Sequence, residues 1–390
     1  MTLRFARGMT LIELMVALVI AMVLSLAVFG IMATFEGRRR TLGSGADLDQ
    51  TGSVAMFEID RWVRSAGTGY SRSYLYSYGC ALYAAKSGSQ VLPVASSLPA
   101  PFASVDPGSS GVFRLAPVLI LPGQTTPGAS GQASDVLVLM AGAAGNGEVA
   151  TLFSAAAAAA QLNLANSVPF SASDLVLLAD QSPGSSGGIA PCMVTQAAST
   201  ISGGANSALA LGGTWYAAAV GTQSVSGYPD SAVAINLGGV SDSRTPSFQL
   251  IGVGDNNTLY SYDLLQVSAT PLQARAQGVF ELHALYGIDT SGDGKIDSWV
   301  KADSGSYTAV ALSAGTSTAA KLLQTIKAVR VGLILRTSLP ERDVVNTATT
   351  LTLFSDLGSS LSLTRALSSD EQHYRYRTVE ATIPVRNNVL

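Results

Sequence analysis

Charge is scarce in this chain. Of its 390 residues only 13% are Asp, Glu, Lys or Arg, while 47% are hydrophobic. Such a chain buries at least one sizeable core and is not a disordered protein. The formal net charge is -3, and no run of Lys or Arg is interleaved with aromatics. The basic footprint that phosphate backbones require is missing, so nucleic acid is not an expected partner. Histidine and cysteine are scarcer still, with 2 of each. Neither His283 nor His373 sits in a metal-ligand pattern. No P-loop, H-E-x-x-H or kinase motif is present. Catalysis has no candidate set of residues, and the expected class is not an enzyme. Cys80 and Cys192 lack the close CxxC spacing of a zinc or redox site. Two readings stay open: one disulfide, which implies an oxidising compartment, or two separate buried thiols. If paired, the long loop they close stabilises the fold by roughly 4 to 5 kcal/mol.

What the chain does have is a long apolar run near its start. Residues Met1 to Gly8 are short and basic, with Arg4 and Arg7, and lead into Met9-Thr10-Leu11-Ile12-Glu13-Leu14 and an apolar stretch reaching about Phe35. That is long enough to span a bilayer. An ordinary secretory signal is cut after its apolar segment at small residues, whereas Glu36-Gly37-Arg38-Arg39-Arg40 follows this one. The helix is therefore expected to stay in the mature protein. Its single internal charge, Glu13, costs roughly 2.5 to 3.5 kcal/mol in hydrocarbon even on the mildest scale, so something must offset it.

This arrangement resembles the class III signal of type IV prepilins: a short basic leader ending in glycine, then T-L-I-E-L-M-V-A-L. The resemblance implies that prepilin peptidase cuts between Gly8 and Met9, that Met9 is then N-methylated, and that Glu13, the fifth mature residue, pairs with the N-terminal ammonium of a neighbouring subunit during assembly. Met9 stands where the family more often has Phe. Arg38 to Arg40 lie beyond the span and outnumber the basic residues of the leader, against the positive-inside rule. The implied topology keeps the leader cytoplasmic and the head periplasmic, with those arginines near anionic headgroups.

Past the anchor, Leu48, Ala55, Ile59, Trp62 and Ala66 recur at helical spacing. They predict a helix continuing to about Ser65, with a face packed on a globular head and with Gly37, Gly43 and Gly45 as places where it bends or melts. Short apolar runs at Val118–Leu121, Val136–Met140, Leu175–Ala179 and Met193–Ala197, separated by Gly, Ser and Pro clusters, predict strands. The alanine run Ala155–Ala160 predicts a short helix, Ser182–Gly188 a flexible loop, and Gly254-Asp255-Asn256-Asn257 a hairpin turn. In the last third, Gln277-Gly278-Val279-Phe280-Glu281-Leu282, Tyr286-Gly287-Ile288-Asp289, Ile326 to Leu333, and Tyr374 to Asn387 resemble the PilW family of minor pilins. The middle of the chain carries no such likeness.

Asp289-Thr290-Ser291-Gly292-Asp293-Gly294-Lys295-Ile296-Asp297 places oxygens at alternating positions around turning glycines, as a calcium loop does. The candidate ligands are Asp289, Ser291, Asp293, Lys295 and Asp297. Val300 replaces the bidentate Glu of the EF-hand pattern, leaving Asp303 to complete any site. The competing reading is an Asx-rich turn without metal. No other cofactor is expected.

The expected architecture is α+β: a leader (1–8), a pilin helix (9–66, transmembrane over about 9–35) and a mostly β, pseudopilin-like head (67–390) with a Gly/Ser/Ala-rich middle. The family likeness implies a structural minor pilin that helps initiate type IV pilus assembly and sits in or near the tip. It further implies an inner-membrane protein that moves into the surface fibre, with other minor pilins, the major pilin, prepilin peptidase, the inner-membrane assembly machinery and a tip adhesin as partners. A type II secretion minor pseudopilin shares the same signal. A single-pass membrane-anchored adhesin or binding module is the alternative from another class.

Overall fold

The structure, a computed structural model, describes residues 10–107, 111–125, 133–143, 149–182, 187–201, 204, 208–240 and 244–388. The chain divides into two compact units, Met1–Gln50 and Thr51–Leu390. One helix, α1 (Leu11–Ser65), contributes residues to both. The helix runs through Gly37, Gly43 and Gly45 without melting there. Its Arg64 bonds Asp60 one turn back at 2.6 Å. At its C-terminal end, Asn387 donates Nδ2–H bonds to the carbonyls of Ser65 and Ala66 at 3.2 and 2.9 Å. A residue from the far end of the chain thus satisfies the acceptors a helix terminus leaves open. Ala55, Ile59, Val63 and Ala66 are fully buried, the apolar face that helical spacing predicted.

The Thr51–Leu390 unit is built on three sheets. An eight-stranded sheet runs in the order Ser89–Leu92, Leu82–Lys86, Cys192–Gln196, Asp174–Asp180, Ala232–Gly239, Thr151–Ala158, Gln161–Leu164 and Ala208–Ala210. The Leu82–Lys86 and Cys192–Gln196 strands pair in parallel within it. Phe153, Leu162, Val176, Met193 and Val225 belong to the buried cluster against this sheet. A five-stranded antiparallel sheet orders Leu272–Gln277, Thr258–Asp263, Ser247–Gly254, Ser134–Ala141 and Val118–Thr125. A four-stranded antiparallel sheet orders Ser298–Val300, Val279–Ile288, Ile326–Arg336 and Tyr376–Pro384. The four predicted strands all form.

The alanine run does not make a helix. Ala155–Ala158 lies in the Thr151–Ala158 strand, hairpinned to Gln161–Leu164. Six alanines are too few to repay helix nucleation alone, and pairing with neighbouring strands decides the conformation instead. The Gly254–Asn257 turn forms as expected between the Ser247–Gly254 and Thr258–Asp263 strands, with Asn256 and Asn257 at φ 59 and 52, a region that Asn tolerates. The Ser182–Gly188 loop lies mostly outside the described residues.

Side chains join the second and third sheets. Ser134 Oγ accepts from Leu282 N at 2.8 Å and donates to Leu282 O at 3.0 Å. Asp135 Oδ2 accepts from Ala284 N at 3.0 Å, and Ile120 N donates to Tyr286 Oη at 2.5 Å. The Val279–Ile288 strand is buried along its whole length, so its backbone groups need these partners.

Candidate functional site

At its N-terminal end α1 opens on Thr10. Glu13 Oε2 accepts from Thr10 N at 2.9 Å and Thr10 Oγ1 at 3.0 Å, while Thr10 Oγ1 accepts from Glu13 N at 3.3 Å. This is a capping box, two otherwise orphaned donors satisfied reciprocally. The T-x-x-E spacing was the sequence signal for it, and attention to Glu13 as a lone charge passed over it. Among the described residues Glu13 Oε1 carries no bond. The cap therefore uses one carboxylate oxygen and leaves the other for an outside donor. Leu11–Met32 follows, 22 residues of mean hydropathy 2.9, none buried, long and apolar enough to cross a membrane. A surface of this kind calls for lipid or other helices around it. Gly8 and Met9 lie outside the described residues.

In the head, Cys80 and Cys192 form a disulfide, both fully buried. It stands at the start of the parallel pair, where Leu82 is opposite Cys192 and Cys192 N donates to Ala81 O at 2.9 Å. The bond fixes the contact between strands 112 residues apart in sequence.

The acidic loop spends its carboxylates on its own backbone. Asp289 accepts from Gly292 N at 2.6 Å and Gly294 N at 2.8 Å; Asp297 accepts from Thr290 N at 2.7 Å and Ser291 N at 2.8 Å. Burial raises the Asp289 pKa, but the Gly292 and Gly294 N–H groups outweigh it and hold the carboxyl below its ordinary value. The Ser291 and Thr290 N–H groups do the same for Asp297. Asp293 turns to Lys295 instead, Nζ to Oδ2 3.3 Å. Among the described residues no three carboxylate or imidazole groups converge as a cation requires. As placed, the Asp289 and Asp297 carboxylates are engaged in a hydrogen-bonded turn. We predict that millimolar calcium leaves the melting temperature of the protein unchanged; a calcium-dependent rise reversed by Asp297→Asn would refute this reading.

A buried ion chain was not foreseen. His283 Nε2 donates to Glu281 Oε2 at 3.1 Å, and its Nδ1 lies 3.8 Å from Asp135 Oδ2. Glu281 Oε1 accepts from Arg365 Nε at 2.6 Å, and Arg365 Nη2 donates to Glu371 Oε1 at 2.6 Å. All five are buried. Burial opposes charge on His283, but the Asp135 and Glu281 carboxylates override it and push its pKa up to about 9. The His373 ring bonds backbone instead, Nδ1 to Glu341 O at 2.9 Å. The ion chain joins the second sheet, the third sheet and the Thr350–Leu353/Leu363–Ala366 hairpin. Every charge in it has an opposite partner, which suits a clasp more than a reaction centre.

Two family models match the chain. Residues 252–387 match Type IV Pilus-assembly protein W, and residues 3–33 match the prokaryotic N-terminal methylation motif. No curated protein and no solved structure matches. The first match spans the whole third sheet and all three carboxylates of the acidic loop; the second spans the capping box and the exposed Leu11–Met32 run. The chain is thus similar in its last third to Type IV Pilus-assembly protein W and at its start to the prokaryotic N-terminal methylation motif, the combination of a type IV pilus-related pilin.

Proposed function

We propose that the chain is a structural minor pilin that helps initiate type IV pilus assembly and is incorporated in or near the tip. It is held first in the inner membrane by Leu11–Met32, N-terminus cytoplasmic and head periplasmic. Prepilin peptidase cuts after Gly8, Met9 is methylated, and the freed ammonium of one subunit meets Glu13 of another. The observation that carries this reading is the fully exposed apolar helix that opens on a half-used carboxylate. In a fibre, such a surface packs among other pilin helices, and the ion pair replaces lipid around Glu13. The role so described needs no catalysis and no cofactor. Its partners are the other minor pilins, the major pilin, the inner-membrane assembly machinery and a tip adhesin. Fibres sheared from cells are expected to contain the wild-type chain and to lose it in Glu13→Ala. Absence of the wild-type chain from the fibres, with piliation intact after its deletion, would support a type II secretion pseudopilin or an anchored binding module instead.

A further inference from the structure

Within the head unit, a cleft of about 500 Å³ opens between the Arg61–Ser65 turn of α1 and the Ser247–Gly254 and Leu272–Gln277 strands. Two guanidinium groups enter it over one indole. The Cζ of Arg275 lies 5.1 Å, and that of Arg61 5.9 Å, from the centre of the Trp62 ring. The indole is only 6% exposed and forms the floor beneath them. Each cation gains from the ring face, but the two repel one another: burial first, and the Arg61 charge after it, lower the Arg275 pKa against the pull of Glu58. Arg61 has a partner in Glu58, 3.1 Å away. Arg275 makes no direct ion pair among the described residues and shares the longer-range pull of Glu58 with Arg61; its side chain donates one hydrogen bond, from Nε to Ser261 Oγ at 2.7 Å. The carboxylate that lines the cleft, Asp263, faces backbone, accepting from Leu265 N and Ser268 N at 3.1 Å each. Two guanidinium groups that share one nearby carboxylate, one of them half-buried and without a direct ion pair among the described residues, form an arrangement that an incoming anion relieves.

The remaining lining says what kind of anion. Ser247, Gln249 and Thr245 face the cleft, and among the described residues their side chains carry no hydrogen bond. They offer donors and acceptors together. The geometry points to a binding site for a carboxylate-bearing sugar, a hexuronate unit. Its carboxylate lies between the Arg275 and Arg61 guanidinium groups, and its hydroxyls meet Ser247, Gln249 and Thr245. Guanidinium and carboxylate match in a paired, charge-assisted geometry, and the cleft volume is in the range of small-ligand sites. An acidic peptide brings the same carboxylate with amide groups in place of hydroxyls, and the test sets it against the sugar. The site does not depend on the pilus reading above.

The test is titration calorimetry of the full-length protein in detergent micelles with digalacturonate, its neutral analogue galactobiose, hexaglutamate and sodium sulfate. Digalacturonate is expected to give a saturable heat, with galactobiose at least tenfold weaker. Arg275→Gln is expected to weaken digalacturonate binding at least tenfold. Arg61→Gln guards against loss of fold: this side chain is 59% exposed, and the variant is expected to melt as wild type does while binding several-fold more weakly. No heat with digalacturonate, unchanged affinity in the folded Arg61→Gln protein, or equal affinity for galactobiose would overturn the proposal. Sulfate or hexaglutamate binding as tightly as digalacturonate would overturn it too, by showing a charge site without sugar recognition.

Discussion

Replacing both Cys80 and Cys192 with alanine lowers the stability of the head by about 4 to 5 kcal/mol. The magnitude comes from the loop: the bond joins residues 112 apart, and untying a loop of that length returns a large conformational entropy to the unfolded chain. The location adds to the effect. The parallel pair between Leu82–Lys86 and Cys192–Gln196 is a non-local contact whose closure is costly without a tether. Alanine is chosen because both sites are fully buried and a serine hydroxyl would need a partner there. The check is the midpoint of urea unfolding for the variant, beside wild-type protein with and without reductant. The variant and the reduced wild type are expected to unfold at the same lower midpoint; a midpoint unchanged in both would show that the bond adds no stability.

Glu281→Gln has an effect of similar size, about 3 to 5 kcal/mol. Its carboxylate stands between His283 at 3.1 Å and Arg365 at 2.6 Å. Removing its charge leaves two buried cations facing each other across an amide. The contrast is Glu58→Gln, which breaks the exposed Arg61 pair at 3.1 Å and is expected to cost less than about 1 kcal/mol. The same clasp makes stability depend on pH. The folded pKa of His283, about 9, lies above its ordinary 6.5. Its contribution is therefore fully present below pH 6.5 and is lost as pH rises through about 9. Wild-type melting temperature is expected to fall between pH 7 and 10 more steeply than that of His283→Gln. Parallel profiles for the two proteins would contradict the clasp.

Much of this was legible in the sequence where the determinant is local. The apolar run with its single Glu13 identified the anchor because a lone carboxylate in hydrocarbon has few physical explanations. The turn at Gly254–Asn257 was legible because Asn and Gly tolerate the backbone it requires. The acidic loop was legible as a turn, but both of its readings use the same residue types, and only the direction of each carboxylate separates them. The strand at Ala155–Ala158 was not legible, since pairing with Gln161–Leu164 overrode local propensity. Nor was the ion chain: Arg365 lies 84 residues from Glu281, and Asp135 reaches Ala284 across 149. No spacing rule brings such residues together before the sheets are assembled. Two arginines over Trp62 were hidden for the same reason, one being on α1 and the other on the Leu272–Gln277 strand.

The central claim, that this is a prepilin, is tested most directly by intact mass and N-terminal sequencing of the full-length protein expressed with and without a prepilin peptidase. The account predicts a chain that begins at Met9 only when the peptidase is present, and one that keeps Met1 in Gly8→Val under both conditions. A wild-type chain that begins at Met1 with and without the peptidase would contradict it.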